Sequence, residues 1–396
     1  MSGGVMRPTA LVPSAEHLAL PFFEAAHRDI AARLPAWANA QGVDETDDRA
    51  ACRNWVQLLG EGGWLRYCVA GDHGGALPQL DSRALVLLRE TLAFYSPLAD
   101  FSFAMQGLGS GAISLGGTPA QQAEYLPAVA RGEKIAAFAL SEADAGSDVA
   151  AMKTQADCEG GLWRLNGTKT WISNGGLADF YCMFAKTDSQ AGSRGITAFI
   201  VDKGAAGLDD NAHIQVMAPH PLATLKLANA VVAGNEPLGE VNGGFKLAMQ
   251  TLDIFRASVA GAALGMARRA LAEAVAHARQ RKMFGHTLAD FQLTQAKLGE
   301  MAALIDAGAV LTYRAAWMRD MQQGSMKERS VAAAMAKMTA TENAQRVIDM
   351  ALQMHGGLGV MVGSRVESLY RDIRSLRIYE GATEVQQLII GKAVLT

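Results

Sequence analysis

Apolar residues recur at three- and four-residue intervals from Ser14 to about Gly132, as in Leu18, Phe22, Phe23, Ala26, Ile30 and Leu34. That interval marks one face of an α-helix, so the spacing predicts several consecutive helices. Ser82 to Tyr95 is one, carrying Leu85, Leu88, Leu92 and Phe94, with Asp81 or Ser82 as its N-cap. Gly107 to Gly117 is rich in glycine and serine yet lies between helical stretches, and Thr118-Pro119 starts a further helix with proline in its first turn. Between about Ile135 and Gly239 the pattern shortens to alternating runs separated by Gly, Asn and Asp. Leu162–Leu165 and Thr168–Ile172 flank Asn166-Gly167, the dipeptide that most favours a two-residue hairpin turn. Phe180–Ala185, Gly195–Asp202, Ile214–Met217 and Leu222–Val232 read as further strands, spaced as in a β-barrel or sandwich of roughly a hundred residues. Helical spacing returns at Phe245, and long helices are expected there, from Leu298 onwards, over Ser330–His355 and over Thr383–Leu395, forming an antiparallel four-helix bundle.

The resulting expectation is an α+β multidomain chain. Residues 1–133 form an all-α domain, 134–240 a β-barrel domain and 241–396 the bundle. Composition allows this: 396 residues, 50% of them hydrophobic, support a large core. The net charge of -3 is spread without long runs, so neither nucleic acid nor an anionic membrane surface is an expected partner. Four widely spaced cysteines suggest no disulfide framework and fit a reducing cytoplasm. Residues 1–13 carry no apolar segment of signal-peptide length, and no run of about 18 apolar residues occurs, so a soluble cytoplasmic chain is expected.

Candidate chemistry concentrates in a few places. Ser375 to Gln386 delivers Glu380 between the apolar pair Ile378-Tyr379 and Gly381, just before a helix that Thr383 opens. A carboxylate on such a bend can be held against an apolar pocket, where partial desolvation raises its pKa and makes it a better proton acceptor. An arbitrary Glu is ordinarily a solvated charge, so the rest of the chain has to overturn that reading. Phe138 to Asp148 combines small residues with five oxygen-bearing side chains, which suits close approach to a planar polar ring system as well as a polar turn. Trp171-Ile172-Ser173-Asn174-Gly175-Gly176 ends a strand in a hydroxyl and two glycines. Gly357-Leu358-Gly359 follows a helix, which is the wrong context for a Rossmann site, and there is no P-loop. The eight histidines, His73, His220 and His355 among them, are scattered, so no metal is expected.

Taken together, Leu140–Asp148, Trp171–Ser173, Arg281–Gly285 with Gln292, Gln353–Gly357 and Ile378–Gly381 resemble the acyl-CoA dehydrogenases, in the right order over nearly the whole chain. The resemblance implies FAD between the β-domain and the bundle, an acyl-CoA substrate, an electron-transfer flavoprotein as acceptor and a homotetramer built as a dimer of dimers. It places Phe138, Leu140, Ser141, Ser147, Trp171, Ile172 and Ser173 on the flavin, with the Ser173 hydroxyl by the reactive ring nitrogen. Arg281, Phe284, Gln292, Gln353, Gly356 and Gly357 would hold the pyrophosphate and adenosine across a subunit boundary, and Ala382, Thr383 and Glu384 would close over the cofactor. Ser147, Asp253, Arg256 and Gly381 match positions lining the acyl-CoA site. Glu380 would take the α-proton while hydride leaves the β-carbon for flavin N5, giving a trans-2-enoyl-CoA.

Several positions depart from the usual pattern: Ala143 for proline, Ser173 for threonine, Ala382 for threonine, and Met217–Leu222 for a loop with glycine and serine. Two rivals stand beside the dehydrogenase. One is an acyl-CoA oxidase of the same fold, since Glu380 argues only against monooxygenase relatives; the other is a non-catalytic FAD-binding scaffold.

Overall fold

The first layer consists of α1 (Ala25–Ala40), α2 (Asp48–Glu61), α3 (Ser82–Tyr95), α4 (Pro97–Gly116) and α5 (Pro119–Ala130). The computed structural model describes residues 11–396, and the expectation for residues 1–10 lies outside them. Asp81 caps α3 by accepting from the Ala84 amide at 2.8 Å, and Thr118 caps α5 through a reciprocal capping box with Gln121. The glycine-rich stretch does not separate helices: α4 runs through it. A Cβ on Gly107 would lie 2.5 Å from the Phe255 ring, and one on Gly109 2.7 Å from the Cβ of Ala136. Glycine costs helix propensity there but lets α4 approach its neighbours closely.

The second layer is an eight-stranded sheet. It comprises β1 (Ala136–Ala139), β2 (Gln155–Glu159), β3 (Leu162–Ser173), β4 (Phe180–Lys186), β5 (Ile196–Asp202), β6 (Leu208–Ile214), β7 (Leu222–Val231) and β8 (Pro237–Leu238). The order is β6-β7-β3-β2-β4-β5-β8, with β1 parallel beside β4. Two strand expectations are corrected. Asn166-Gly167 makes no hairpin: β3 continues through it, and the turn from β2 is Gly160-Gly161, both at positive φ. Asn166 instead pairs with Asn229, while Gly167, at φ 150°, sits in a register shift where a Cβ would lie 2.5 Å from Thr154 Oγ1. The strand expected at Ile214–Met217 lies earlier, in β6. Residues 215–221 are a loop in which Pro219 and Pro221 have no N–H to offer a ladder.

The third layer is helical: α6 (Gly244–Gln280), a β9–β10 ribbon (Lys282–Met283 with His286–Thr287), α7 (Gln292–Asp320), α8 (Met326–His355), α9 (Arg365–Leu376) and α10 (Thr383–Val394). The expected set of four lacks α9, a short helix burying Val366, Leu369, Ile373 and Leu376. Leu388 on α10 does not face a core: it is 62% exposed.

Candidate active site

Glu380 lies in the connection between α9 and α10. The amides of Ile378 and Tyr379 both donate to the Ser375 carbonyl, closing the helix end, and then Glu380 and Gly381 take positive φ of 51° and 89°. Left-handed backbone at a non-glycine residue costs roughly 1–3 kcal/mol and persists only where its surroundings enforce it. Enforcement comes from α8 and α10. Lys337 Nζ (2.7 Å) and Gln386 Nε2 (2.9 Å) both donate to the Gly381 carbonyl. The Thr383 hydroxyl and Arg377 Nε converge on Glu342 Oε1 at 2.6 and 2.8 Å.

Both Glu380 carboxylate oxygens are shut off from solvent and have no hydrogen-bond partner among the described residues. Burial therefore raises the Glu380 pKa, against the pull of Arg89, Lys337 and Arg256. Arg89 is itself buried, held bidentately by Asp100 (2.8 and 3.0 Å) and donating to Ser258 Oγ at 3.0 Å. Burial lowers the Lys337 pKa to about 8, although the Glu380 charge opposes this. A buried carboxylate with no partner among the described residues, beside cations that bond to other groups, has its hydrogen-bonding capacity left over for whatever enters the cavity.

The carboxylate faces a cavity of about 500 Å³. Its walls are Met105 and Leu108 of α4, the 138–150 loop, Trp171–Ser173, His220, Phe245, Met249, Leu252 and Arg256 of α6, and Ile378–Ala382 with Val385. Of the residues singled out in the sequence, Phe138, Leu140, Ser141, Ser147, Trp171, Ile172, Ser173, Arg256, Glu380, Gly381 and Ala382 line it together. Local structure explains the two flavin-matching segments. Fully buried Lys169 donates to the Leu140 carbonyl (3.1 Å) and to Glu142 Oε1 (2.8 Å), and the Thr170 amide bonds to the Ser141 carbonyl, so the loop is strapped to β3. A register shift between Lys169 and Ile172 then turns Trp171, at φ 59°, outwards, leaving it 58% exposed.

Other candidates lie outside the cavity wall. Asp253 pairs with Arg256 at 2.6 Å, Thr383 is engaged with Glu342, and Glu384 is exposed. Arg281, Phe284 and Gln292 sit at the α6–α7 corner, and Gln353, Gly356 and Gly357 at the end of α8. Stacking of His277 on His355, with centroids 4.3 Å apart, makes these two corners neighbours. Sequence reasoning missed Arg89, Asp100, Met105, Leu108 and Lys337, and gave His220 no role. Only Lys337 carried a signal, as one cation inside an alanine-rich helical run.

The observed residues fit FAD. An isoalloxazine needs a flat, partly apolar slot with polar groups at its rim, and exposed Trp171, the Ser141 and Ser173 hydroxyls and the open loop around Gly146, where a Cβ would meet nothing within 4 Å, provide these. Family models cover the chain in three pieces: acyl-CoA dehydrogenase N-terminal domain over 23–133, middle domain over 137–228 and C-terminal domain over 242–395. The caffeyl-CoA reductase–Etf complex subunit CarC of Acetobacterium woodii is 38% identical, covering 82% of this chain and 84% of that one. Butyryl-CoA dehydrogenase of Megasphaera elsdenii superposes with a TM-score of 0.87 at 32% identity, covering 94% of this chain and 99% of that one. An FAD-complexed acyl-CoA dehydrogenase of Bacillus anthracis gives a TM-score of 0.84 at 31% identity, covering 94% of this chain and 67% of that one. With its three domains matched in order, and with relatives of this identity over most of its length, the chain belongs to the acyl-CoA dehydrogenase family of FAD-dependent oxidoreductases.

Proposed function

We propose that the protein interconverts an acyl-CoA thioester and its trans-2-enoyl-CoA, with Glu380 as the α-proton base and an electron-transfer flavoprotein as redox partner. The observation that carries this reading is the Glu380 carboxylate: desolvated, without a partner among the described residues, and facing the cavity. Desolvation makes it a stronger base than a surface glutamate, while Arg89, Lys337 and Arg256 keep enough positive potential nearby for the ionised form to be reached. The bend at positive φ fixes the direction of attack, which is the positioning that proton abstraction next to a carbonyl requires. Bound FAD supplies the two-electron acceptor at the β-carbon. Ser173, Trp171 and the 138–148 loop would hold its ring, while Arg281, Phe284, Gln292 and Gln353–Gly357 would hold the far end of FAD from a second copy in a homotetramer. Ser147, Asp253, Arg256 and Gly381 would contact the acyl-CoA, and Ala382, Thr383 and Glu384 the cofactor. Domain boundaries near 133/134 and 240/241 belong to the same reading. An Etf-linked reductase among the relatives supports the partner class and makes the direction of flux the open variable, since the same base returns the proton in reverse.

Replacing Glu380 with Gln is expected to leave FAD uptake intact and to slow anaerobic flavin bleaching by acyl-CoA about 10²–10⁴-fold, the usual cost of removing an essential base. Bleaching at a near-normal rate would reassign the base. Rapid oxygen consumption by the substrate-reduced protein without an added acceptor would favour the oxidase.

A further inference from the structure

His220 sits where the chain departs from the usual pattern of its family, on a loop held from several sides. Residues 215–221 are anchored at three backbone points by three different segments. Arg371 of α9 donates to the Met217 carbonyl at 2.9 Å, the His220 amide donates to Asp48 Oδ2 at the start of α2 at 3.1 Å, and the Asn174 amide donates to the Pro221 carbonyl at 2.9 Å. Pro219 and Pro221 stiffen the chain on either side. The loop is a partition: Met217, Pro219 and Pro221 face a polar trough of about 710 Å³, while the His220 ring enters the wall of the active-site cavity. There it packs on Phe101, with centroids 3.8 Å apart, lies 6.1 Å from the Tyr379 ring, and brings Nε2 to 3.3 Å from Ser173 Oγ.

A serine hydroxyl at the end of a strand rotates freely unless something behind it fixes it. We propose that His220 is a positioning residue: its imidazole holds the Ser173 hydroxyl in one orientation towards the flavin, and its ring, wedged between Phe101 and Tyr379, fixes that side of the cavity. This rests on the proposed flavin site. Burial keeps the ring neutral, its pKa lowered to about 3, so it has one N–H and one lone pair at any working pH. With Nε2–H donating to Ser173 Oγ, the serine proton is left to point at an acceptor in the cavity. With Nε2 accepting, the serine presents its lone pairs instead. Either tautomer restricts the hydroxyl, and the substitution His220→Ala would release it.

The test is a double-mutant cycle on FAD binding and on the absorption spectrum of bound FAD, using the full-length protein. His220→Ala and Ser173→Ala are each expected to weaken FAD about 2- to 10-fold, the range of one hydrogen bond, and to shift the long-wavelength flavin band. His220→Ala/Ser173→Ala should bind no more weakly than the weaker single variant, and His220→Gln, which keeps a donor and an acceptor, should recover most of the affinity. Additive losses, or a wild-type flavin spectrum in His220→Ala, would overturn the role through Ser173. Wild-type protein that takes up no FAD would overturn the flavin reading and this inference with it, whereas uptake with additive losses removes only the inference. Thermal unfolding of each apo variant separates a loss of fold, which would show as a lowered midpoint for His220→Ala but not for His220→Gln, from a loss of orientation.

Discussion

Glu380 shows how one residue is tuned by its surroundings. Its raised pKa means that the folded state keeps the proton to higher pH than the unfolded chain does. The folded state then binds more protons than the unfolded one across that window, so apo-protein stability falls as pH rises from the ordinary glutamate value of 4.5 through the raised one. Glu380→Gln, which cannot ionise, is expected to unfold at a higher temperature than wild type above that window and to lose the advantage below it, as read by thermal melts of apo-protein across the acid-to-neutral range. Turnover should show the opposite trend, increasing with pH along a limb whose midpoint lies above that of a free glutamate. The residue stood out in the sequence as a carboxylate on a bend before a helix start, and the family resemblance made it the candidate base. That Arg89, Lys337 and Arg256 gather around it was not legible, because all three lie far away in sequence and meet Glu380 only through packing.

At the scale of elements, the contact between α4 and α6 positions the cavity wall. Gly107 and Gly111 let Phe255, buried to 1% exposure, press its ring against α4. Gly107→Ala is expected to destabilise by about 1–3 kcal/mol, because an added methyl in a full core displaces its neighbours. Phe255→Ala should cost about 3–5 kcal/mol by leaving a cavity. The double variant should cost less than the sum, since the methyl introduced by Gly107→Ala grows into the space vacated by the ring, and urea unfolding of the four proteins measures the coupling. Helical spacing was clear in α3 and α6 but not in the glycine-rich part of α4, where the residues that weaken propensity are the ones that permit close approach. Asn166-Gly167 misled for a related reason: glycine is required there by Thr154, and the asparagine by Asn229, so a strong local turn signal serves a bulge in a continuous strand.

Across the whole molecule, a single chain leaves apolar side chains uncovered on its C-terminal layer. Phe284 is 84% exposed, Leu293 86%, Val362 83% and Leu388 62%. Of these, Phe284 and Leu293 lie at the α6–α7 corner with Arg281 and Gln292, and exposed side chains of this size there suit the proposed contact with a second copy of the chain. Arg281→Ala is expected to weaken FAD retention and self-association together, by about 10-fold in FAD affinity for the loss of one charge-assisted contact. Light scattering and flavin release on the same sample check this, and a tightly flavinated tetramer of that variant would place the far end of FAD elsewhere.

The sequence alone determined the order of the layers, the starts of α3 and α5, the family and the candidate base, because each rests on short local patterns or on several such motifs in order along the chain. Tertiary structure decided what local pattern cannot encode. It settled that Asn166-Gly167 bulges rather than turns and that α4 survives its glycines. It brought Arg89, Lys337 and Arg256 around one carboxylate, and it set an otherwise ordinary histidine against the Ser173 hydroxyl. Each outcome depends on which distant atoms occupy the same few cubic ångströms, and packing, not propensity, selects those.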